Sequence, residues 1–258
     1  MRGSKWAVAL AVGVLAMGCD VAEASLAAAE APLLDEAAQS LSAHGREEVA
    51  RRGAIVLPGQ ATPFGRSMAE WSTRWYGWHF GVAAEQNPAL ALEADCDVAQ
   101  GPVYFVPMYD FATTYARTCR VPFGKPVYVP LWVIINDFPC PDPAFEPAPG
   151  QTLEQFLQEG VLGFNAGLQG LSVTVDGRPV DVARHRHTSR LFTFTAEPSL
   201  VGQIPDACLL GGVPQKGVVD GYSLMLLLAP GEHEVRVQAP QTPFGAPVDF
   251  TYRLNVER

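Results

Sequence analysis

Residues 222–238, YSLMLLLAPGEHEVRVQ, and residues 248–256, VDFTYRLNV, carry the clearest β pattern of the chain. In the first stretch, an apolar run is followed by a Pro-Gly turn and by a strand with Val235 and Val237 on one side. In the second stretch every other residue is apolar, which is typical of a strand with one buried face. Short strands punctuated by Gly and Pro predict a mainly β domain, built as an antiparallel β-sandwich or a jelly-roll-like fold.

Further strands are expected upstream of this region. Residues 171–175 and 179–182 flank Asp176-Gly177, a dipeptide that favours a tight hairpin turn. The other expected strands are residues 101–108, 118–122, 126–137 and 191–195.

Two capping boxes predict two short helices in the same domain. In each box, a Ser or Thr side chain and a Glu or Gln three residues later satisfy amides of the first helical turn. The pairs are Ser67 with Glu70 and Thr152 with Gln155. The first helix carries Trp71, Trp75 and Trp78 on one stripe. Such a stripe could stack on sugar rings, but it more often closes one side of a core, and we expect the core role.

The first 18 residues have the pattern of a signal peptide. Arg2 and Lys5 precede an apolar stretch, residues 6–17, that is too short to cross a bilayer comfortably. Residues 15–19, LAMGC, resemble a bacterial lipobox, in which the cysteine is acylated after cleavage before it. We therefore expect Cys19 to anchor the protein in the cell envelope, on the inner or the outer membrane. A chance cysteine beside an ordinary cleavage site is the alternative.

The cysteine count supports export. Five cysteines are an odd number for an oxidising compartment, and setting Cys19 aside leaves four. Four cysteines allow three pairings, and we favour Cys96–Cys119 and Cys140–Cys208. The sequence contains no Cys-x-x-Cys pair, so a zinc knuckle or a redox motif has little support.

Composition divides the mature chain at about residue 63. Residues 19–62 are rich in Ala and acidic residues and are interpreted as the lipidated cysteine and a flexible tether. Residues 63–258 contain more aromatic residues and Pro and are expected to form a single β-rich domain.

The charge of the chain disfavours nucleic acid as a partner. Loss of Arg2 and Lys5 with the signal peptide changes the formal net charge from −9 to −11. The expected contacts are the membrane, through the lipid anchor alone, and an envelope glycan or protein. The sequence does not predict an oligomeric state.

Several short motifs occur in an order that is similar to one protein family. They are the Trp helix with Asn87-Pro88, QGPVYF at 100–105, RTCRVP at 117–122, GK at 124–125, DGY at 220–222 and PGEH at 230–233. Together they resemble an uncharacterised family of exported bacterial proteins over most of residues 63–258. The resemblance implies an exported single domain and provides no catalytic residues. Cys19 and the tether lie outside it.

Three histidines are candidate metal ligands. His185 and His187 would share one face of a strand, and His233 could be a third ligand for a divalent metal. The neighbouring arginines oppose a cation, so surface histidines on an edge strand are the alternative. No other cofactor is expected.

Oxygen ligands form a second candidate site. Asn136, Asp137 and Asp142 follow an apolar strand beside Cys140 and could form a calcium-binding loop, with a hydrogen-bonded turn as the alternative. Asp220 is interpreted as a turn residue at the beginning of a strand.

The motifs favour a non-enzymatic function. The chain lacks Gly-x-Ser-x-Gly, His-Glu-x-x-His, Ser-x-x-Lys and a Walker loop, and no catalytic residue is predicted. The leading hypothesis is an exported envelope lipoprotein with a binding or interaction domain. One alternative is a secreted hydrolase of polysaccharide or another envelope polymer, which would need two carboxylates roughly 5 to 9.5 Å apart. Another is a metal-binding envelope protein.

Overall fold

The computed structural model describes residues 49, 51–109 and 112–258, so the signal peptide, Cys19 and most of the expected tether lie outside the described residues. The strands form two sheets. Sheet A contains β1 (Ala54–Val56), β2 (Tyr104–Phe105), β4 (Val127–Phe138), β7 (Arg186–Thr188), β8 (Phe192–Thr195) and β9 (Pro214–Leu228). Sheet B contains β3 (Thr114–Pro122), β5 (Ser172–Val175), β6 (Arg178–Val180), β10 (Gly231–Ala239) and β11 (Val248–Glu257).

Strand β9 organises sheet A. One edge of β9 pairs with β4, and the other edge pairs in turn with β8, β7 and β1. Sheet B has the order β3-β11-β10-β5-β6. Most pairs are antiparallel, but β2 with β4 and β3 with β11 are parallel. The chain crosses from sheet B to sheet A between β3 and β4. The pairing of β3 with the distant β11 has no local sequence signal.

The two sheets pack face to face around the largest hydrophobic core. Buried residues of β4 and β9, such as Leu131 and Leu226, contact buried residues of β10 and β11, such as Val237 and Leu254. Burial of each such side chain contributes roughly 1.5–3 kcal/mol to folding. The expected mainly β, sandwich-like fold is thereby confirmed.

Both predicted helices are present and pack on sheet A. Helix α1 (Met68–Gly81) begins at the Ser67 capping box and helix α2 (Leu153–Asn165) at the Thr152 capping box. Helix α1 and the segment 198–211 cover the face of sheet A that points away from sheet B. Helix α2 packs on the other face, where Leu157 and Val161 form a separate hydrophobic cluster with Val218.

The tryptophan stripe of α1 belongs to the core, as expected. Trp71, Trp75 and Trp78 are buried against sheet A. Each indole N–H donates to a main-chain carbonyl, at 3.1 Å to Pro63, 2.9 Å to Val106 and 2.8 Å to Val98. A sugar-stacking platform would need exposed ring faces, which these side chains do not offer.

Sheet A includes residues that composition assigned to the tether. Ala54–Val56 form β1 and pair with Leu226–Leu228 of β9. The domain therefore begins before residue 63. Three apolar residues inside an Ala-rich and acidic segment are too few to change its average composition. Among the described residues, no helix has the length and apolarity needed to cross a membrane.

Both favoured disulfides are present. Cys96 is bonded to Cys119, and Cys140 is bonded to Cys208. The first links the loop before β2 to β3, next to the buried Arg117. Arg117 donates to the Cys96 sulfur at 3.3 Å and to the Ala91 carbonyl at 3.0 Å, and burial lowers the pKa of its guanidinium.

Candidate functional site

Strand β7 places polar side chains on both faces of sheet A. Arg186 pairs with Tyr222, His187 with Gly221, and Thr188 with Asp220. Because side chains alternate along a strand, Arg186 and Thr188 face α2, whereas His187 faces α1. A Cβ atom on Gly221 would lie 2.1 Å from the Trp132 carbonyl oxygen, so only glycine permits this close approach of β9 and β4.

Asp220 is the centre of a hydrogen-bonded network on the α2 side. Its side chain is fully buried, and three residues donate hydrogen bonds to its carboxylate. Thr188 Oγ1 donates to Oδ1 at 2.7 Å, Asn165 Nδ2 to Oδ2 at 2.8 Å, and Arg186 Nη2 to Oδ2 at 2.9 Å. Asn165 in turn accepts the indole N–H of Trp132 at 2.7 Å. The network joins α2 to β4, β7 and β9.

The guanidinium of Arg186 neutralises the buried charge. Hydrogen bonding to Asp220 raises the pKa of Arg186 further above its already high value. The Arg186 side chain is 38% exposed and lies 5.7 Å from the Tyr222 ring centre, so it covers the network towards solvent. This charge-compensated arrangement suits a structural role, because Thr188, Asn165 and Arg186 all donate to the same buried carboxylate.

A second polar cluster lies on the opposite face, beneath α1. Ser72 Oγ donates to the Met68 carbonyl at 3.1 Å and is hydrogen-bonded to Tyr128 Oη at 2.6 Å. It also contacts His187 Nε2, and Ser223 Oγ lies 3.4 Å from the same nitrogen. Burial lowers the pKa of His187 to about 4 and raises that of Tyr128 to about 12, so both are neutral at pH 7.

Ser72 and His187 are the residue types of a nucleophilic dyad, but Ser72 is not accessible to a substrate. The side chain of Ser72 is fully buried, so a substrate has no access to its oxygen. The Met68 carbonyl competes with His187 for the one hydroxyl proton of Ser72, so this proton is not committed to the imidazole as in a nucleophilic dyad. The geometry therefore favours a helix-docking role.

The predicted oxygen-ligand loop is not assembled as a group. Asn136 donates to the Leu157 carbonyl at 3.1 Å, whereas the exposed Asp142 accepts the amide of Ala144 at 2.9 Å in a local turn. Asp137 is only 3% exposed and faces a different residue, Asp206. Asp137 and Asp206 are far apart in the sequence, so no local pattern predicts their contact.

Asp137 and Asp206 lie beside the second disulfide. Their carboxylate oxygens and the Cys208 sulfur are all within 4.8 Å of one another. Gln215 Nε2 donates to Asp137 at 2.9 Å, and Asp206 accepts the amide of Cys208 at 2.9 Å. Burial, reinforced by the nearby Asp206 charge, raises the pKa of Asp137 to about 7.

The three candidate histidines lie in different surroundings. His185 ends a 3₁₀ turn, Val182–His185, and burial lowers its pKa. His187 contacts Ser72, while His233 in β10 bonds Asp176 and the Ala229 carbonyl, both at 2.9 Å. Across residues 49, 51–109 and 112–258, one cluster has the spacing of three metal ligands, and no histidine belongs to it. That cluster uses the disulfide-bonded Cys208, whose sulfur is not a thiolate.

A small surface cleft lies where edge strands of the two sheets meet. It measures about 90 Å³ and lies between β1 and the β5–β6 hairpin. Its lining includes the charged residues Arg52, Asp176 and Arg178 and the apolar residues Val56, Val175 and Val180. Asp176 is held by His233 and by the Glu234 amide, so the carboxylate of the cleft already has protein donors.

Comparison with known proteins does not assign a family. No family model and no curated protein matches the chain. A solved structure entitled "Solution Structure of Amebosin" is 12% identical, covers 56% of this chain and 97% of its own, and has a TM-score of 0.17. Similarity this low carries no argument about fold or function, and the resemblance to exported bacterial proteins stays a prediction.

Proposed function

We propose that this protein is an exported envelope lipoprotein, anchored through Cys19, whose β domain is a non-enzymatic binding module. Export is supported by the two disulfides, because such bonds persist in oxidising compartments. They use four of the five cysteines, and Cys19 is the fifth. The lipobox-like sequence LAMGC at residues 15–19 gives this fifth cysteine a role as the site of acylation.

The binding role depends on one observation, the cleft between the sheet edges. The Ser72 and Asp220 clusters are enclosed, whereas the cleft opens to solvent and combines the exposed Arg178 with apolar walls. Within the described residues Arg178 forms no ion pair, and Asp176 is already bonded. On an acidic protein, this local basic site suits a carboxylate or phosphate carried by an envelope glycan or protein.

The hydrolase alternative has less support. Asp137 and Asp206 are a carboxylate pair, but Asp137 is 3% exposed and bonded to Gln215. A glycosidic oxygen could not reach this carboxyl without displacement of the neighbouring segment. The metal-binding alternative lacks a histidine cluster in the part of the chain described by the structure.

A thermal-shift screen of the mature protein tests the binding role. The panel contains acidic and neutral envelope glycans, acidic peptides, divalent metals and a chelator. A ligand at a hundred times its Kd should stabilise the wild type by roughly 2.7 kcal/mol. Arg178→Gln should abolish the shift, whereas Arg190→Gln, at a 94% exposed side chain outside the cleft, should retain it. Equal shifts in both variants would place the binding site elsewhere.

Labelling with a palmitate analogue tests the anchor. The full-length chain should incorporate the label and fractionate with membranes when it is expressed in a bacterial host. Cys19→Ser should remove both properties without loss of the folded domain, because the disulfide cysteines are unchanged. Incorporation of the label into the Cys19→Ser protein would contradict lipidation at this residue.

A further inference from the structure

Phe244 is the most exposed large apolar side chain of the described residues, at 65%. It lies in the turn between β10 and β11, and its ring centre is 5.3 Å from that of Phe164 and 5.8 Å from that of Trp132. Phe164, at the end of α2, is 36% exposed, whereas Trp132 is buried. Phe164 and Phe244 thus form one exposed apolar surface, which we call the phenylalanine patch.

The turn that carries Phe244 is fixed by the fold. Thr242, which is 3% exposed, donates from Oγ1 to the Ala246 carbonyl at 2.7 Å. A Cβ atom on Gly167 would lie 3.2 Å from Cα of Pro243, so the chain beyond α2 packs closely against the turn. Because the turn is held on both sides, the fold itself presents the ring of Phe244 to solvent.

Two charge-free segments contain the patch. Residues 160–175 and 237–248 include no Asp, Glu, Lys or Arg, although the whole chain has a formal net charge of −9. The segments lie side by side, because β5 pairs with β10. The charges that flank the second segment, Arg236 and Asp249, are paired with each other at 2.7 Å. This end of the sandwich therefore suits an uncharged, apolar partner.

The proposed cleft lies towards the other end of β10. Asp176 of the cleft bonds His233 and the Glu234 amide near the beginning of β10, whereas Phe244 follows the end of this strand at Ala239. The nine residues of β10 span about 30 Å. A surface that covers the patch therefore leaves the cleft open to solvent.

We propose that the phenylalanine patch contacts the lipid bilayer and thereby directs the cleft away from the membrane. This inference depends on the proposed function, because acylation of Cys19 would bring the bilayer within reach. Residues 20–53 connect Cys19 to β1 and span at most about 120 Å when fully extended. This reach exceeds the length of β10 several times, so the end of the domain that carries Phe244 can lie on the membrane.

A bilayer fits the patch better than a second copy of the chain. A stable protein interface buries roughly 800 Å² on each partner, which two partly exposed rings do not provide. An anchored domain needs only a weak contact, because the anchor keeps it at the surface, and lipid binding scales with the buried apolar area. Anionic headgroups repel an acidic protein, so a charge-free end approaches them with the least repulsion.

Trp132 provides the readout of the test, because its ring lies next to Phe244, whereas the three tryptophans of α1 are buried on the opposite face of sheet A. The chain from residue 19 is coupled through the Cys19 thiol to a maleimide lipid in phosphatidylcholine vesicles, since the other four cysteines are disulfide-bonded. Brominated acyl chains should quench its fluorescence relative to unbrominated vesicles. Trp132→Phe should remove this loss of fluorescence.

Phe244→Ser should weaken the lipid contact about tenfold or more and restore the fluorescence. Phe123→Ser, at a 47% exposed ring in the β3–β4 turn, should leave the quenching unchanged. Equal fluorescence in both kinds of vesicle, or quenching that survives Phe244→Ser, would overturn the proposal. A dimer of the uncoupled chain that Phe244→Ser dissociates in sedimentation equilibrium would assign the patch to a second copy instead. Because the maleimide supplies the anchor, quenching without palmitate labelling in cells would support the patch and refute lipidation alone.

Discussion

Asp220 and Asp137 are both buried aspartates of the β4–β9 pair, but they lie on opposite faces of sheet A and are stabilised differently. Asp220 has an arginine and two neutral donors. Asp137 has one neutral donor, Gln215, and a second carboxylate nearby. The face covered by α2 buries the Arg186–Asp220 ion pair. On the face covered by α1, burial raises the pKa of the Asp137 carboxyl.

His187 follows the second pattern, because it lies on the same face as Asp137 and is neutral at pH 7. The α1 face thus buries a base whose pKa is lowered and an acid whose pKa is raised. Their contributions to the pH dependence of stability have opposite signs. The comparison shows that burial without a countercharge couples folding to pH at Asp137 and His187.

Removal of the arginine should have the largest effect. Arg186→Met leaves the Asp220 carboxylate buried without a countercharge, and we expect a loss of about 4 kcal/mol. Urea denaturation at pH 7 measures it. Arg190→Met, on an exposed side chain, should cost about 0.5 kcal/mol or less. Adding Asp220→Asn to Arg186→Met should recover part of the loss, and a strictly additive double variant would contradict charge pairing.

The His187 site should weaken the protein in acid. Burial lowers the pKa of His187 to about 4, below its ordinary value of 6.5, so the unfolded chain binds more protons between these values. The stability contribution is present above pH 6.5 and is lost as the pH falls to 4, by up to roughly 3 kcal/mol. His187→Gln should remove this loss when unfolding free energies at pH 4.5 and 6.5 are compared. If the unfolding free energy of His187→Gln changed between pH 4.5 and 6.5 as much as that of the wild type, the imidazole would not be buried in solution.

Asp137→Asn should stabilise the protein by about 2 kcal/mol at pH 7.5, because it removes the cost of burying a charge beside Asp206. The gain should disappear near pH 4, where the wild-type carboxyl is already protonated. In the wild type, the Asp137 and His187 slopes oppose each other between pH 4 and 6.5. The Asp137→Asn protein should therefore expose the full acid sensitivity of His187. An equal gain at both pH values would mean that charge is not involved.

Local patterns predicted much of the scaffold. Capping boxes marked the beginnings of both helices, because the cap is formed by residues three apart. Asp176-Gly177 marked the β5–β6 hairpin, where both residues adopt positive φ. The disulfide pairs were also correct. Each of these features depends on neighbouring residues or on a short list of alternatives.

The candidate site depended on contacts that local patterns do not contain. Asp220 was interpreted as the turn residue before a strand, and this was wrong: β9 begins at Pro214 and runs through it. Gly217 and Gly221 made the first half of β9 resemble a turn, although glycine there permits close strand packing. Asn165, Asp206 and Gln215 reach their partners only through the tertiary fold, so their roles had no sequence signal.

Trp132→Phe should have the smallest effect and tests how the Asp220 network is maintained. The substitution removes the indole N–H that donates to Asn165 Oδ1 at 2.7 Å and leaves that buried oxygen without its donor. We expect a loss of about 1–2 kcal/mol. Asn165→Leu removes both the acceptor and a donor to Asp220, so a double-variant cycle should give a coupling energy of about 1 kcal/mol between the two positions. A coupling near zero would mean that Trp132 stabilises the sheet through packing alone and that Asn165 is oriented by Asp220. A measurable coupling would mean that the Asp220 carboxylate depends on neutral donors as well as on Arg186, whereas Asp137 has the single neutral donor Gln215.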